Sequence, residues 1–411
     1  LTVVSGTDDR VSWHRNETGD DIPPQSVRRV LNPLFAAPMA IAAGDFDSDG
    51  DTDVSALSSN AFFRWLYSDG AAPPDFSEAT IPTAASLMTD QVLGDFNDDG
   101  VMDMVVSAQF GARLWWLEGV SNQNPPQFTS HPIPPDLGSV SGLAICRFDD
   151  DDLTDLLTTS GLRIRLYRGQ TPQPLPFAPP QILIEDYDGV LADPVDLDGD
   201  GDLDLLLPDK RTSTALNGIS WAERLPGPEI AFAPRRIIES GFRAWSAVAG
   251  DFNSDGLLDL AVGGDRDVRV YTNLGGSPPQ FEGQIILDLY TFASFRQIAV
   301  LDFDNDGDLD IASAAVGLTS DWGDAIHWHE NIGGDPVRFI ARILEPDMRS
   351  SFTIHAADLD NDGDDDLLYG DEDNFQLIWR ETPGSPIPAD LNGDGAVNAA
   401  DLAALLGAWG P

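Results

Sequence analysis

Residues 302–310 read Asp-Phe-Asp-Asn-Asp-Gly-Asp-Leu-Asp, with apolar runs on both sides, QIAVL before and IASAAV after. One such stretch alone reads as a hairpin turn. This chain repeats it. Loops of the form D-x-[DN]-x-D-G-x-x-D begin at Asp45, Asp95, Asp196, Asp251, Asp302 and Asp358, and a degenerate copy begins at Arg147. Successive starts lie 50, 52, 49, 55, 51 and 56 residues apart. A steady period of that length signals a repeat architecture.

Working outward from the loop, each unit reads as four short strands. The first precedes the loop (MAIAAGDF, SAVAGDF) and its small apolar residues suit burial on both faces. The second follows the loop (LDIASA, MDMVVS). The third carries an aromatic and ends near Gly (LWWLEG, IHWHENIGG), and the fourth follows a Pro-rich turn (FEGQIIL, RFIARIL). Four strands per unit, repeated round a ring, make an all-β propeller. Residues 1–31 read as strands two to four of a first unit, and 353–381 as strands one to three of a last one. The count therefore favours eight blades, with seven as the alternative, and places the missing strand upstream of Leu1 in a chain that begins further back.

The loops also specify chemistry. Carboxylates at alternate positions, with Gly at the sixth, wrap oxygens around a hard cation, calcium above all. The ligands are Asp45, Asp47, Asp49 and Asp53; Asp95, Asn97, Asp99 and Asp103; Asp196, Asp198, Asp200 and Asp204; Asp251, Asn253, Asp255 and Asp259; Asp302, Asp304, Asp306 and Asp310; and Asp358, Asp360, Asp362 and Asp366. In the third loop Arg147 replaces the first Asp and Asp152 replaces the Gly. Either Asp149, Asp151 and Asp155 still hold an ion there, or the Arg147 guanidinium supplies the positive charge. Six to eight calcium ions follow, with a structural role.

These D-F-[DN]-x-D-G-x-x-D-[LIV] repeats resemble the FG-GAP/VCBS family of calcium-binding propellers, related to the integrin α-subunit propeller. The resemblance spans nearly all of residues 1–381. It implies an extracellular or cell-surface protein that binds glycan or protein ligands. After a linker at 382–388, the segment 389–411 places Asp390, Asn392, Asp394, Asn398 and Asp401 at EF-hand stations, followed by a short helix. It resembles half of a dockerin module, which implies a cohesin-like partner. That tail makes a component of polysaccharide degradation the alternative function.

Composition narrows the partners. The 411 residues include 69 acidic and 23 basic ones, a formal charge of −46. That balance opposes nucleic-acid binding and docking on anionic lipid. No apolar run reaches the ~18 residues of a membrane span. The single Cys146 reads as a core residue, so no disulfide framework exists. No G-x-S-x-G, HExxH or Walker loop occurs, and we expect no enzyme. His327 and His329 alternate on one strand and read as a surface pair. Loops of the face away from the Asp loops gather Phe242, Arg243, Trp245, Tyr290, Phe292, Phe295, Trp322 and Phe352, the candidate ligand surface.

Overall fold

The computed structural model describes residues 26–382 and the strands Thr2–Ser5 and Val11–His14, apart from 33–37, 59–62, 72–73, 82–87, 109–113, 122–125, 135–139, 150, 172–174, 191, 213–216, 228, 290–292, 318–324, 346–352 and 372–375. The expected loop-helix at 389–411 lies outside these residues, as do Tyr290, Phe292, Trp322 and Phe352. No helix among the described residues is long and apolar enough to cross a membrane.

The described strands form seven antiparallel four-stranded sheets and a separate two-stranded hairpin. The first strands of the seven sheets are Pro38–Gly44, Met88–Gly94, Val140–Cys146, Asp193–Val195, Ala244–Gly250, Ala293–Leu301 and Ile354–Ala357. Each touches the first strand of the next sheet, and the last touches the first, which closes a ring. In every blade the second strand starts at the ninth loop residue, as at Asp53 and Asp310.

The ring has seven blades, where the sequence favoured eight. Thr2–Ser5 pairs with Val11–His14 outside the blades. Val27–Asn32 pairs instead with Gln376–Glu381, as the outer strand of the last blade. The missing strand therefore comes from residues 27–32, not from upstream of Leu1. Without it the last blade would present a row of unpaired backbone groups. A second expectation also changes. It is the second strand that is buried along its length, as in Asp259–Gly264. The first strands are only partly buried because they line the central channel.

Four of the seven blades are clamped from their third strand to their fourth. Trp116, Trp221, Trp328 and Trp379 sit directly opposite His131, Arg236, Arg342 and Arg29. The three guanidinium groups lie 5.1–5.4 Å from their indole centroids, and His131 stacks on Trp116 at 4.9 Å. A Glu two residues after each Trp holds the same group: Glu118, Glu223, Glu330 and Glu381. Cross-strand pairs of this kind stabilise an outer edge that a small blade core covers poorly.

Candidate functional site

The Asp loops join first strands to second strands, so all seven emerge on one face. In the six complete loops the first Asp braces the turn. Asp302 Oδ1 accepts the Asp306 N–H at 3.1 Å and Oδ2 accepts the Gly307 N–H at 2.9 Å. The same pair recurs at Asp45, Asp95, Asp196, Asp251 and Asp358. Gly307 has φ of 97°, a left-handed conformation that a Cβ opposes.

The third position is different. Oδ1 of Asp47, Asp149, Asp198, Asp304 and Asp360 is buried with no hydrogen-bond partner among the described residues. A buried carboxylate oxygen without a partner is costly. Burial, then the neighbouring Asp306 and Asp362 charges, push Asp304 and Asp360 up to about 6. Carboxylate oxygens converge within 4.8 Å in four loops: Asp45, Asp47 and Asp53; Asp196, Asp198 and Asp200; Asp302, Asp304 and Asp306; and Asp358, Asp360 and Asp366. Hard oxygen donors with one unsatisfied atom at the centre fit a divalent cation such as calcium. In the loops at Asp95 and Asp251 the amides of Asn97 and Asn253 donate to Asp99 and Asp255 instead.

The ninth-position Asp has a role that sequence reading missed. In all seven loops its Oδ2 accepts the N–H of the second loop residue and its Oδ1 accepts an N–H near the end of the third strand. Trp116 and Trp328 Nε1 add a third bond, to Asp103 and Asp310. Burial pushes Asp53, Asp103 and Asp204 up to about 7, Asp259 to about 6, and Asp310 and Asp366 to about 8. These carboxylates pin three strands together.

The third loop keeps this pin at Asp155 but not the rest. Arg147 is exposed, and the guanidinium near Asp149, at 3.9 Å, belongs to Arg168. The compensating charge thus comes from the end of the third strand, where strand pairing brings it beside the loop. Asp152 adopts φ of 63° where the other loops have Gly.

The opposite face has another chemistry. In five blades a bulge sits near the start of the first strand, at Met39, Thr89, Ser141, Trp245 and Arg296. A bulge leaves one residue unpaired and re-aims its side chain. All five line a cavity of about 790 Å³ at the ring centre. A neighbouring cavity of about 580 Å³ is lined by Phe242, Arg243, Asp265 and Arg269. The Arg269 guanidinium covers Phe242 at 3.9 Å. Trp245 Nε1 donates to Asp265 at 2.6 Å.

Of the described candidates, Phe242, Arg243 and Trp245 do reach these cavities, but Phe295 does not. It is wholly buried and packs edge-on against His327. The bulge after it turns Arg296 outward instead. His327 and His329 are likewise buried, not a surface pair, because the third strand is covered within the packed blades. They stack at 6.2 Å, and His329 Nε2 meets Ser313 Oγ at 2.8 Å. Burial lowers them to about 4 and about 3, so both are neutral. Cys146 is buried and free.

Comparison with known proteins agrees with this architecture. A family model described as an FG-GAP-like repeat matches residues 251–313. No curated protein matches the sequence. A solved Agrocybe aegerita lectin, described for specific recognition of non-reducing terminal N-acetylglucosamine, is similar over 79% of this chain and 81% of its own, at 16% identity and TM-score 0.50. The structure of BBS1N in complex with ARL6DN is similar over 88% of this chain and 97% of its own, at 10% identity and TM-score 0.58. The chain is thus an all-β propeller of four-stranded blades that contains an FG-GAP-like repeat.

Proposed function

We propose that this chain is a non-catalytic, extracellular or cell-surface binding module, stapled by calcium on one face and open to a glycan on the other. The observation that carries this reading is the separation of two chemistries across the ring. Buried third-position carboxylate oxygens without partners occupy one face. A central cavity is lined at its end toward the other face by the re-aimed side chains of Met39, Thr89, Ser141, Trp245 and Arg296. Asp302, Asp304 and Asp306, and their counterparts, would hold the ion. Calcium would neutralise carboxylates that otherwise repel one another. The likeness to a solved lectin supports the glycan reading, and the likeness to BBS1N in its complex with ARL6DN makes a protein ligand the alternative. The dockerin-like segment would tether the module to a cohesin-like partner. The test is a glycan array probed with the full chain in calcium and in EDTA, with the melting temperature followed in both. We expect calcium to raise the melting temperature and a defined glycan to bind. An unchanged melting temperature overturns the calcium staple, and an empty array overturns the glycan reading.

A further inference from the structure

Lysine occurs once in the 411-residue sequence, at Lys210. It follows the second strand of the fourth blade, Asp204–Asp209, and so stands on the face away from the Asp loops. Two arginines from other blades meet it there. Arg243 directly precedes the first strand of the fifth blade, and Arg296 is the bulged residue of the sixth. Their guanidinium groups lie 4.6 and 4.5 Å from the Trp245 ring centroid, and the Lys210 ammonium lies 5.9 Å from it. Arg243 Nε donates to the Lys210 carbonyl at 2.9 Å, which ties the fourth blade to the fifth.

Three cations from three blades therefore converge on one indole. Like charges this close repel, and the π face offsets only part of that cost. Two carboxylates face the three cations: Asp188, whose carbonyl accepts the Lys210 N–H at 3.1 Å, and Asp265, which accepts bonds from Trp245 Nε1 at 2.6 Å, Ser294 Oγ at 3.1 Å and Arg243 Nη1 at 3.3 Å. Of the carboxylates in the cavity wall, Asp90 accepts the Leu143 N–H at 2.8 Å, and Asp193 lies on the fourth blade. With two guanidinium groups over it, Trp245 acts as a scaffold for charge and not as a bare stacking plate. Such a cluster opposes the composition of a chain with a net charge of −46. The acidic loops do not cancel it. The seven residues Ala244–Gly250 separate the faces, a span of about 23 Å, against a Debye length of about 8 Å at physiological salt.

We propose that this rim is the recognition subsite for an acidic saccharide, with Lys210, Arg243 and Arg296 binding its carboxylate or sulfate group. Planar guanidinium forks and a compact ammonium are the groups that hold such oxyanions. The rest of the sugar would lie in the central cavity beside Met39, Thr89 and Ser141. The proposal rests on the glycan reading of this face and adds the charge of the ligand.

The single lysine supplies the test. The full chain is acetylated with an amine-reactive ester, and Lys210 modification is followed by mass spectrometry with an oligogalacturonate, a chondroitin sulfate hexasaccharide or neutral cellohexaose present. Affinities for the three are measured by calorimetry. We expect one or both acidic oligosaccharides to bind and protect Lys210, and cellohexaose to do neither. The two acidic arms separate carboxylate from sulfate. Lys210→Gln and Arg296→Gln should each weaken acidic binding about tenfold without moving the melting temperature. Arg338→Gln, an exposed change beyond the third strand on the Asp-loop face, should leave it unchanged. Equal protection by cellohexaose, or binding that both Gln variants retain, overturns the anionic subsite and leaves the glycan reading standing. Binding by none of the three overturns this proposal, while a neutral glycan retained on the array would still support the module.

Discussion

The loop that begins at Arg147 and the loop that begins at Asp302 carry different residues on the same strand framework. Both end in a buried Asp, Asp155 or Asp310, whose oxygens accept N–H groups from the loop and from the end of the third strand. Only the second has the first-position brace, the glycine and three converging carboxylates. Where those are absent, Arg168 stands beside the remaining third-position Asp. The pin is thus common to every blade, and the converging carboxylates are a layer added to four of them.

The largest effect should come from the pin itself. Asp310→Ala strands three buried N–H groups, those of Phe303, Asn331 and the Trp328 indole, and should cost roughly 3–5 kcal/mol in urea unfolding. Asp155→Ala strands two, for about 2–4 kcal/mol. A loss under about 1 kcal/mol in the third loop would mean that its pin is not the shared element.

Chelation comes next. On the calcium proposal, each filled site contributes about 2.7 kcal/mol when free calcium is about a hundred times its Kd. Asp304→Ala should remove one ion by equilibrium dialysis and leave the chelated protein almost as stable as before. Asp149→Ala should remove none. A loss of one ion there would show that the third loop binds like the others.

The two blades also differ in a buried base. At the station opposite the fourth residue of the second strand, the third blade has Arg165 and the sixth has His327. His327 and His329 fall from their ordinary value near 6.5 to about 4 and about 3 in the folded chain. Their neutral forms favour folding. This contribution is complete above pH 6.5 and is lost as pH falls through the folded values. His329→Gln should therefore flatten the stability curve between pH 7 and pH 5 by about 1–2 kcal/mol. A parallel curve would show that the imidazole does not titrate on unfolding.

The smallest effect is a repair. Arg147→Asp, Asp152→Gly and Arg168→Gln together should add one bound calcium and roughly 1 kcal/mol in its presence. No added ion would mean that the third loop's backbone is unsuited to binding.

Much of the loop face was legible because its chemistry is local. Nine consecutive residues contain the carboxylates, the turn glycine and the start of the second strand. The pin was not legible, since its partners arrive from a strand that begins several residues later. The opposite face was legible only in part. Trp245 and Arg243 are legible as an aromatic and a cation, but aromatic character points to Phe295 where the bulge presents its neighbour Arg296. A bulge shifts alternation by one residue, and alternation decides which face a side chain takes. The W-x-E spacing of four third strands takes its meaning only from His131, Arg236, Arg342 and Arg29 on the strands opposite.

By itself the sequence determined the repeat, the four strands of each blade and the alternating carboxylates, because each is written within about fifty residues of continuous chain. The tertiary structure decided the number of blades, the strand that closes the ring and the cluster around Trp245. Closure depends on Val27–Asn32 meeting Gln376–Glu381 across almost the whole chain, and the cluster on bringing Lys210, Arg243 and Arg296 together from three blades. No local pattern encodes either, because each arises only when the sheets close into a circle.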